Sequence, residues 1–155
     1  MKNSEMEKIW TKLLKNIDYV RPNKGANLNP RDVIVREILI PSTFTEIQQV
    51  GIDVTVNDDV IIYPHSWRRA KCNEVVDIPK DAFGVIHIRS SISDKGVLLS
   101  AGVYDSGYRG IISFVLHNSN NQEILVKKDS RIAQIIFYHA NSYCSYNGHN
   151  QNRMD

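Results

Sequence analysis

The sequence has few cysteines and no long apolar run, and these absences exclude several classes of protein. Cys72 and Cys144 are too few for a disulfide framework, and neither lies in a Cys/His group with the spacing of zinc ligands. No apolar run approaches the roughly 18 residues of a membrane span, and the N-terminal segment lacks the apolar stretch of a secretory signal. We therefore expect two reduced structural thiols, no membrane contact and a cytoplasmic location.

The chain also has little excess charge of either sign. Its 19 basic and 17 acidic residues leave a formal charge of +2, so no large basic field is available for a nucleic-acid backbone. We expect any anion site to be local and predict no nucleic-acid partner. With 155 residues, of which 42% are apolar, the chain has the length and composition of a single domain, 1–155, with a hydrophobic core.

The two ends of the chain differ from its middle. Near the N-terminus, apolar residues recur every three or four positions and predict one face of a helix over 4–17, formed by Met6, Ile9, Trp10, Leu13, Leu14 and Ile17. We expect that face to pack on the core or on another subunit, with docking of a separate partner as the alternative. Residues 21–31 lack periodicity and predict a connector, and the Asn-rich segment 141–155 predicts a mobile C-terminal tail.

The middle of the chain consists of short runs rich in Val, Ile and aromatic residues, separated by Gly, Pro, Asn, Asp and Ser. This pattern is typical of β-strands. The candidate strands are 33–39, 52–56, 60–63, 84–89, 97–99, 111–118, 123–126 and 131–138. They predict an all-β core over 33–140, either a closed β-barrel or a double-sheet jelly roll, because both arrangements cover the edges of antiparallel sheets.

Three polar segments interrupt the strand-rich region, and the first is 89–96. It begins at the last residue of a candidate strand and contains Arg89, Ser90, Ser91 and Lys95. An Arg can hold two phosphate oxygens, hydroxyls and backbone N–H groups can cradle others, and a Lys adds a point charge. The segment therefore predicts a phosphate site, with a solvated polar β-turn as the alternative.

The second polar segment, 101–110, places Asp105 in a Gly-flanked turn between two apolar strands. Gly102 lets the backbone approach a planar ligand closely, Asp105 can serve as a general base, and Tyr108 can stack on a sugar. The alternative is an ordinary hairpin turn, because Asp-Ser-Gly is a common turn sequence.

The third polar segment, 128–134, is a turn that runs into a strongly apolar strand. Taken alone, it predicts an ion-pair role for Arg131 and an ordinary strand position for Gln134. The order of the segments is more informative. Together with Gly51-Ile52-Asp53-Val54, the three segments resemble the first four motifs of the dUTPase and dCTP deaminase superfamily, over roughly residues 33–140. The pattern up to Asp53 is most similar to the archaeal and viral branch.

The resemblance implies a fold, an assembly and a reaction. The fold would be a distorted β-barrel or jelly roll, assembled as a homotrimer with three sites between subunits. The reaction would be hydrolysis of dUTP to dUMP and pyrophosphate. Mg²⁺ would be carried by the triphosphate without a protein ligand, which suits a cation that keeps its waters and prefers phosphate oxygens. A viral member would act in the host cytoplasm.

The resemblance also implies roles for individual residues. Asp105 matches the residue that orders and activates the attacking water, Gly102 lies in the hairpin that reads the base, and Tyr108 matches the residue beneath the deoxyribose. The other matching positions are Arg89, Ser90, Ser91, Lys95 and Gln134 for substrate binding, with Asp53 and Arg131 in supporting positions.

Three departures from the family pattern bear on the reaction. The deaminases have a catalytic Glu ten residues after the Asp of the third motif, where this chain has Val115, and they have Arg where it has Asp94. Both departures argue against deamination of dCTP. The Arg- and Gly-rich fifth motif of dUTPases has only a faint counterpart in 146–151. The main alternative is therefore a weakly active or inactive trimer that senses nucleotides or binds proteins.

Overall fold

The computed structural model describes residues 4–15 and 26–155, which form three helices and ten strands. The helices are α1 (Ser4–Leu14), α2 (Pro30–Val35) and α3 (Ser90–Ser93). The strands are β1 (Leu39–Ile40), β2 (Glu46–Ile47), β3 (Ile52–Thr55), β4 (Val60–Ile62), β5 (Trp67–Asp77), β6 (Ala82–Ile88), β7 (Val97–Ser100), β8 (Arg109–Asn118), β9 (Ile124–Val126) and β10 (Arg131–His139).

The strands form two four-stranded antiparallel sheets and a two-stranded ribbon. One sheet has the order β1-β5-β8-β7, the other has the order β2-β3-β10-β6, and β4 pairs with β9. The curled sheets are joined where Gly84 of β6 exchanges two backbone hydrogen bonds of 2.9 Å with Tyr104. The predicted all-β, barrel-like fold with an added N-terminal helix is confirmed, in the form of a half-barrel.

The hydrophobic core lies between the sheets and follows the two-residue period of the strands. In β8, for example, Ile112, Phe114 and Leu116 are buried, whereas the residues between them are not. Helix α1 adds to the same core through the buried side chains of Ile9 and Leu13. The apolar face of this helix therefore packs on the core along its described length. Ile17 and residues 21–25 of the predicted connector lie outside the described residues.

The prediction of a strand over 33–39 is wrong, because residues 33–35 belong to α2, residues 36–38 form a turn, and only Leu39 lies in a strand. The Asn29 carboxamide oxygen accepts a hydrogen bond of 2.9 Å from the Arg31 amide, and Pro30 occupies the first turn. An Asn cap followed by Pro is a start signal for a helix and outweighs the β-branched residues that follow. The helix ends before Glu37, which has a φ of 58°, and only the two residues of β1 remain as a strand.

Strand β5, the longest in the described chain, was not predicted. Its buried, inward-facing residues are Ala70, Cys72, Glu74 and Val76. A carboxylate among them breaks the apolar alternation that identifies a strand in sequence. The Glu74 carboxylate is satisfied by four hydrogen bonds, from the hydroxyls of Ser42, Thr45 and Thr55 and from the Thr55 amide. A buried carboxylate is tolerated when donors surround it in this way.

Candidate active site

The turn between β7 and β8 is held in place by neighbouring segments. Ser106 is buried, and its hydroxyl donates a hydrogen bond of 2.6 Å to the carbonyl of Ala82. The amide of Gly107 donates to the carbonyl of Ile78 at 2.9 Å, and its φ of +83° is one that glycine adopts without strain. Ser106 and Gly107 therefore fix the position of Asp105, although neither is among the predicted site residues.

Asp105 itself is exposed at the tip of this turn. Its backbone carbonyl accepts a hydrogen bond of 3.0 Å from the Tyr108 amide. Its carboxylate accepts no hydrogen bond and forms no ion pair with any residue that the structure describes. An Asp that stabilises a turn does so by bonding to nearby backbone N–H groups. The Asp105 carboxylate is therefore available to a ligand or to water.

A cleft of about 560 Å³ lies against the turn. Its lining from the turn includes Gly102, Val103, Tyr104, Asp105 and Tyr108, and its lining from the sheet includes Arg69, Ser113 and Val115. The volume is within the range of small-molecule sites. The structure thus brings three of the predicted site residues, Gly102, Asp105 and Tyr108, to one cleft. Arg69 was missed because it lies on β5, the strand that was not predicted.

Two tyrosines present their rings to the cleft and keep their hydroxyls bonded to the backbone. The Tyr104 hydroxyl donates to the carbonyl of Ser113 at 2.8 Å, and the Tyr108 hydroxyl donates to the carbonyl of Ile111 at 3.1 Å. Burial raises the pKa of both phenols above the ordinary value. Both groups are therefore neutral at physiological pH and act as hydrogen-bond donors with apolar ring surfaces.

Gly102 is open to solvent on the side where a side chain would project. A Cβ built at this position meets no atom within 4 Å. The backbone here is therefore accessible to a planar group, which agrees with the expectation that this hairpin contacts the base.

The C-terminal tail, residues 141–155, forms another wall of the cleft. Tyr146, His149, Asn150 and Arg153 line it, and the ring of Tyr146 makes an edge contact with that of Tyr108 at 5.6 Å between centroids. These residues were not predicted as site residues. The only sequence signal for Tyr146, His149 and Asn150 was the faint fifth motif in 146–151, and Arg153 lies beyond it. The mobility of the tail stays a prediction.

A second group of predicted residues meets around Asp53, whose side chain is only 2% exposed. One of its carboxylate oxygens lies 3.3 Å from Arg131 Nη1, 3.5 Å from Arg89 Nε and 3.0 Å from Gln48 Nε2. The other accepts a hydrogen bond of 3.5 Å from Gln134 Nε2. Strand β10 lies between β3 and β6, and this arrangement brings the first, second and fourth motifs together.

The remaining predicted residues lie on or just after α3, which follows Arg89. Ser90, Ser91 and Lys95 are exposed, and their side chains bond to no other residue in the described ranges. Neither these residues nor the Asp53 group lines the Asp105 cleft. Within one chain, the predicted site residues are therefore divided between two places.

Residues 4–15 and 26–155 contain no group of three or more His, Cys, Asp or Glu side chains placed to hold a metal ion. Nor is any helix among them long and apolar enough to cross a membrane.

Comparison with known proteins connects both groups of residues to one family. A family model described as dUTPase matches residues 39–154. A probable deoxyuridine 5'-triphosphate nucleotidohydrolase of Methanosarcina acetivorans is 36% identical over 86 residues, which are 56% of this chain and 50% of that protein. A dCTP deaminase of Pyrococcus horikoshii is 34% identical over 86 residues, which are 56% of this chain and 55% of that protein. The chain thus spans about half the length of these curated relatives.

Among solved structures, the native EIAV dUTPase superposes with a TM-score of 0.59 at 22% identity, covering 70% of this chain and 92% of that one. At this identity the likeness concerns the fold. The family model is more informative about the site, because its match includes the Asp53 group, the Asp105 cleft and most of the tail.

Proposed function

The chain belongs to the dUTPase family, and on that premise we propose that it is a dUTP diphosphatase, which hydrolyses dUTP to dUMP and pyrophosphate. The observation that carries this proposal is the Asp105 carboxylate, which is exposed, without a bonding partner in the described residues, and at the edge of a cleft of about 560 Å³. A carboxylate in this setting can accept a proton from a bound water.

In the proposed reaction, Asp105 takes a proton from a water that attacks the α-phosphorus of dUTP. The bond between that phosphorus and the bridging oxygen breaks, and pyrophosphate leaves. The open backbone at Gly102 contacts the base, and the ring of Tyr108 packs against the deoxyribose. General-base assistance is typically worth roughly 10²–10⁴ in rate, and positioning of the phosphates supplies much of the rest.

We assign the triphosphate to the group around Asp53. The buried carboxylate orients the guanidinium groups of Arg89 and Arg131 and the carboxamide of Gln134. Arginine forks held in this way can bind phosphate oxygens, and the exposed Ser90, Ser91 and Lys95 add hydroxyls and a positive charge beside them.

We further propose that the chain acts as a homotrimer, in which the residues around Asp53 of one copy face the Asp105 cleft of another. Support comes from the division of the site: none of Arg89, Ser90, Ser91, Lys95 or Gln134 lines the cleft of its own chain. A site divided between copies requires an oligomer, and closed symmetric rings are the common solution. Light scattering at micromolar concentration should give the trimer mass. A monomer mass in a preparation that hydrolyses dUTP would contradict this assembly.

Mg²⁺ is the proposed cofactor, bound by the triphosphate rather than by a protein cage. The donor chemistry agrees, because the oxygens of Asp53 are already occupied by Arg and Gln side chains and Asp105 is the only carboxylate that lines the cleft in the described chain. When bound, the cation neutralises charge on the phosphates. The proposed location remains the cytoplasm.

Deamination of dCTP is the competing activity, since two relatives are named dCTP deaminase. Val115 lines the same cleft as Asp105, at the position where the deaminases have a catalytic Glu. An apolar side chain there cannot transfer protons, so the hydrolase is the better-supported proposal.

Asp105→Asn tests the proposed function. Because the carboxylate makes no bonds within the described chain, the nearly isosteric Asn should leave the melting temperature and the trimer mass unchanged. Without a general base, kcat for dUTP should fall by roughly 10² or more. Binding of a non-hydrolysable dUTP analogue should persist, because other residues hold the phosphates.

The matched control is Asp58→Asn, at an exposed position outside the cleft where the amide oxygen can still accept the bond from the Asp59 amide. This variant should keep the parental kcat. A kcat within a few-fold of the parent for Asp105→Asn would show that Asp105 is only a turn residue.

A further inference from the structure

One row of residues crosses the sheet that forms a wall of the Asp105 cleft. Arg69 of β5 pairs with Val115 of β8, and Val115 pairs on its other side with Ser100 of β7. All three residues line the cleft. Neighbouring strands lie about 4.8 Å apart, so the row is about 10 Å wide, which leaves room for one planar pyrimidine ring.

Arg69 is the charged member of this row, and its guanidinium is little used within the chain. The side chain is exposed and forms no ion pair with any residue in the described ranges. A hydrogen bond from its Nη1 to the Ser113 hydroxyl oxygen measures 3.4 Å, which is long for such a bond. A guanidinium has five N–H donors and no acceptor. Most of the donors of Arg69 are therefore available to a ligand or to water.

The row lies at the base end of the proposed substrate site. The Tyr108 hydroxyl bonds to the carbonyl of Ile111, and Val115 lies four residues further along β8, which is about 13 Å in a strand. The proposed function places the deoxyribose at Tyr108 and the base at Gly102, which follows Ser100 by two residues. The base can therefore extend toward the row and pack against the apolar side chain of Val115.

The pyrimidine bases differ in the hydrogen-bonding group at carbon 4. Uracil and thymine carry an oxo group there, which accepts hydrogen bonds, whereas cytosine carries an amino group, which donates them. A guanidinium only donates. Against the amino group of cytosine, both partners would be donors and both would lack an acceptor, which is costly in a closed site. Sites that recognise one group in this way reject the analogue that lacks it.

We propose that Arg69 is a specificity-determining residue, which donates a hydrogen bond to the 4-oxo group of the base and so selects dUTP over dCTP. The proposal rests on the proposed dUTP hydrolysis for the placement of base and sugar in the cleft. Because thymine has the same 4-oxo group, Arg69 does not separate dUTP from dTTP.

Thio-substituted nucleotides test which atom of the base Arg69 contacts. Sulfur is a weak hydrogen-bond acceptor, so 4-thio-dUTP weakens a bond at carbon 4, whereas 2-thio-dUTP leaves it intact. The probes are non-hydrolysable analogues of dUTP, 2-thio-dUTP and 4-thio-dUTP, and Kd is measured by calorimetry. The parent should bind the 4-thio analogue about fivefold or more weakly than the unmodified one, and Arg69→Met should bind these two within about twofold of each other.

Two results of this experiment would overturn the proposal. Equal discrimination against the 4-thio analogue by the parent and by Arg69→Met would show that Arg69 does not contact the group at carbon 4. An Arg69-dependent loss confined to the 2-thio analogue would place the guanidinium at the 2-oxo group, which uracil and cytosine share.

Arg69→Gln tests selection among substrates. A carboxamide offers both a donor and an acceptor, so it can bond to either base. We expect the ratio of kcat/KM for dUTP to that for dCTP to fall by about tenfold or more, measured as pyrophosphate release. The ratio for dUTP and dTTP should stay within about twofold of the parent's. An unchanged dUTP to dCTP ratio would contradict the proposal, as would an equal loss for all three nucleotides, which indicates a phosphate contact.

Arg68→Gln is the matched control, because it removes the same charge from the next position of β5. Arg68 is exposed, does not line the Asp105 cleft, and lies with its guanidinium carbon 5.4 Å from the centre of the Tyr63 ring. This variant should keep both parental ratios. An equal fall of the dUTP to dCTP ratio in Arg68→Gln would show that loss of charge on β5 suffices, and would overturn the role of Arg69.

Failure of the proposed function is distinguishable from failure of this inference. An intact protein that binds the analogues without hydrolysing dUTP would refute the hydrolase alone, and the Kd values would still test the contact of Arg69 with the base. Absence of binding to all three analogues would overturn both proposals.

Discussion

Gly102→Ala separates a ligand role from a structural role at a single position. In the folded chain the new methyl group meets no atom within 4 Å, and the φ of Gly102 lies outside the left-handed region that disfavours other residues. The substitution therefore costs nothing in the described structure. It removes conformational freedom from the unfolded chain, which typically stabilises a protein by about 0.4–1 kcal/mol. At about 2–4 °C per kcal/mol for a chain of this size, the melting temperature should rise by about 1–4 °C.

The expected effect on catalysis has the opposite sign. If the backbone at Gly102 contacts the base, the methyl group occupies the space that the ligand needs. Crowding of a well-packed contact costs about 1–3 kcal/mol, which corresponds to a rise in KM of roughly five- to 150-fold. The assays are thermal melting, steady-state kinetics with dUTP, and Kd for a non-hydrolysable analogue.

Gly110→Ala is the contrasting variant, because its methyl group would lie 2.5 Å from the Tyr108 hydroxyl oxygen and 2.7 Å from the Arg153 carbonyl oxygen and should displace both the Tyr108 side chain and the tail. A Gly102→Ala protein that melts higher and binds dUTP with the parental KM would refute the reasoning. In that case the open space at Gly102 would have no part in substrate binding.

Two further substitutions test the other parts of the site. Asp53→Ala should lower the free energy of unfolding by about 1.5–3 kcal/mol, which is the range for hydrogen bonds to charged groups. The loss is limited to this range because Arg89 and Arg131, which share the Asp53 carboxylate, are about a third exposed and regain water when it is removed. A denaturant midpoint equal to the parent's would contradict this role. Val115→Glu should release no ammonia from dCTP, because Asp94 still stands where the deaminases have Arg, and the new carboxylate would lie opposite Arg69 on β5. Ammonia above the parental background would show that a carboxylate at 115 is sufficient.

Local sequence patterns predicted most of the strands because burial alternates along them. The candidate strand 111–118 corresponds to β8, and 131–138 corresponds to β10, with ends that differ by one or two residues. Where a local signal was ambiguous, the prediction failed. The cap at Asn29 converts an apolar run into α2, and the buried Glu74 conceals β5. Both exceptions depend on specific hydrogen bonds, which hydrophobic periodicity does not report.

The sequence by itself determined which residue types carry the chemistry and in what order they occur. It placed Asp105 in a turn next to Gly107, because turn chemistry depends on adjacent residues. It also identified Arg89 and Arg131 as polar residues at the ends of candidate strands and Gln134 as a polar residue within one. The position of each residue in a turn or strand uses information within about ten residues of chain, which is the reach of turn and strand patterns, whereas the order of the segments extends over roughly residues 33–140.

Only the tertiary structure decided how these residues are grouped. Pairing of β10 with both β3 and β6 brings Asp53, Arg89 and Arg131 into contact although they are far apart in sequence. The first residues of β8, which β7 does not reach, bond to the tail, and the tail thereby becomes a wall of the Asp105 cleft. Arg69 lines the same cleft. Long-range strand pairing sets these contacts, and it results from closure of the whole core rather than from any local pattern.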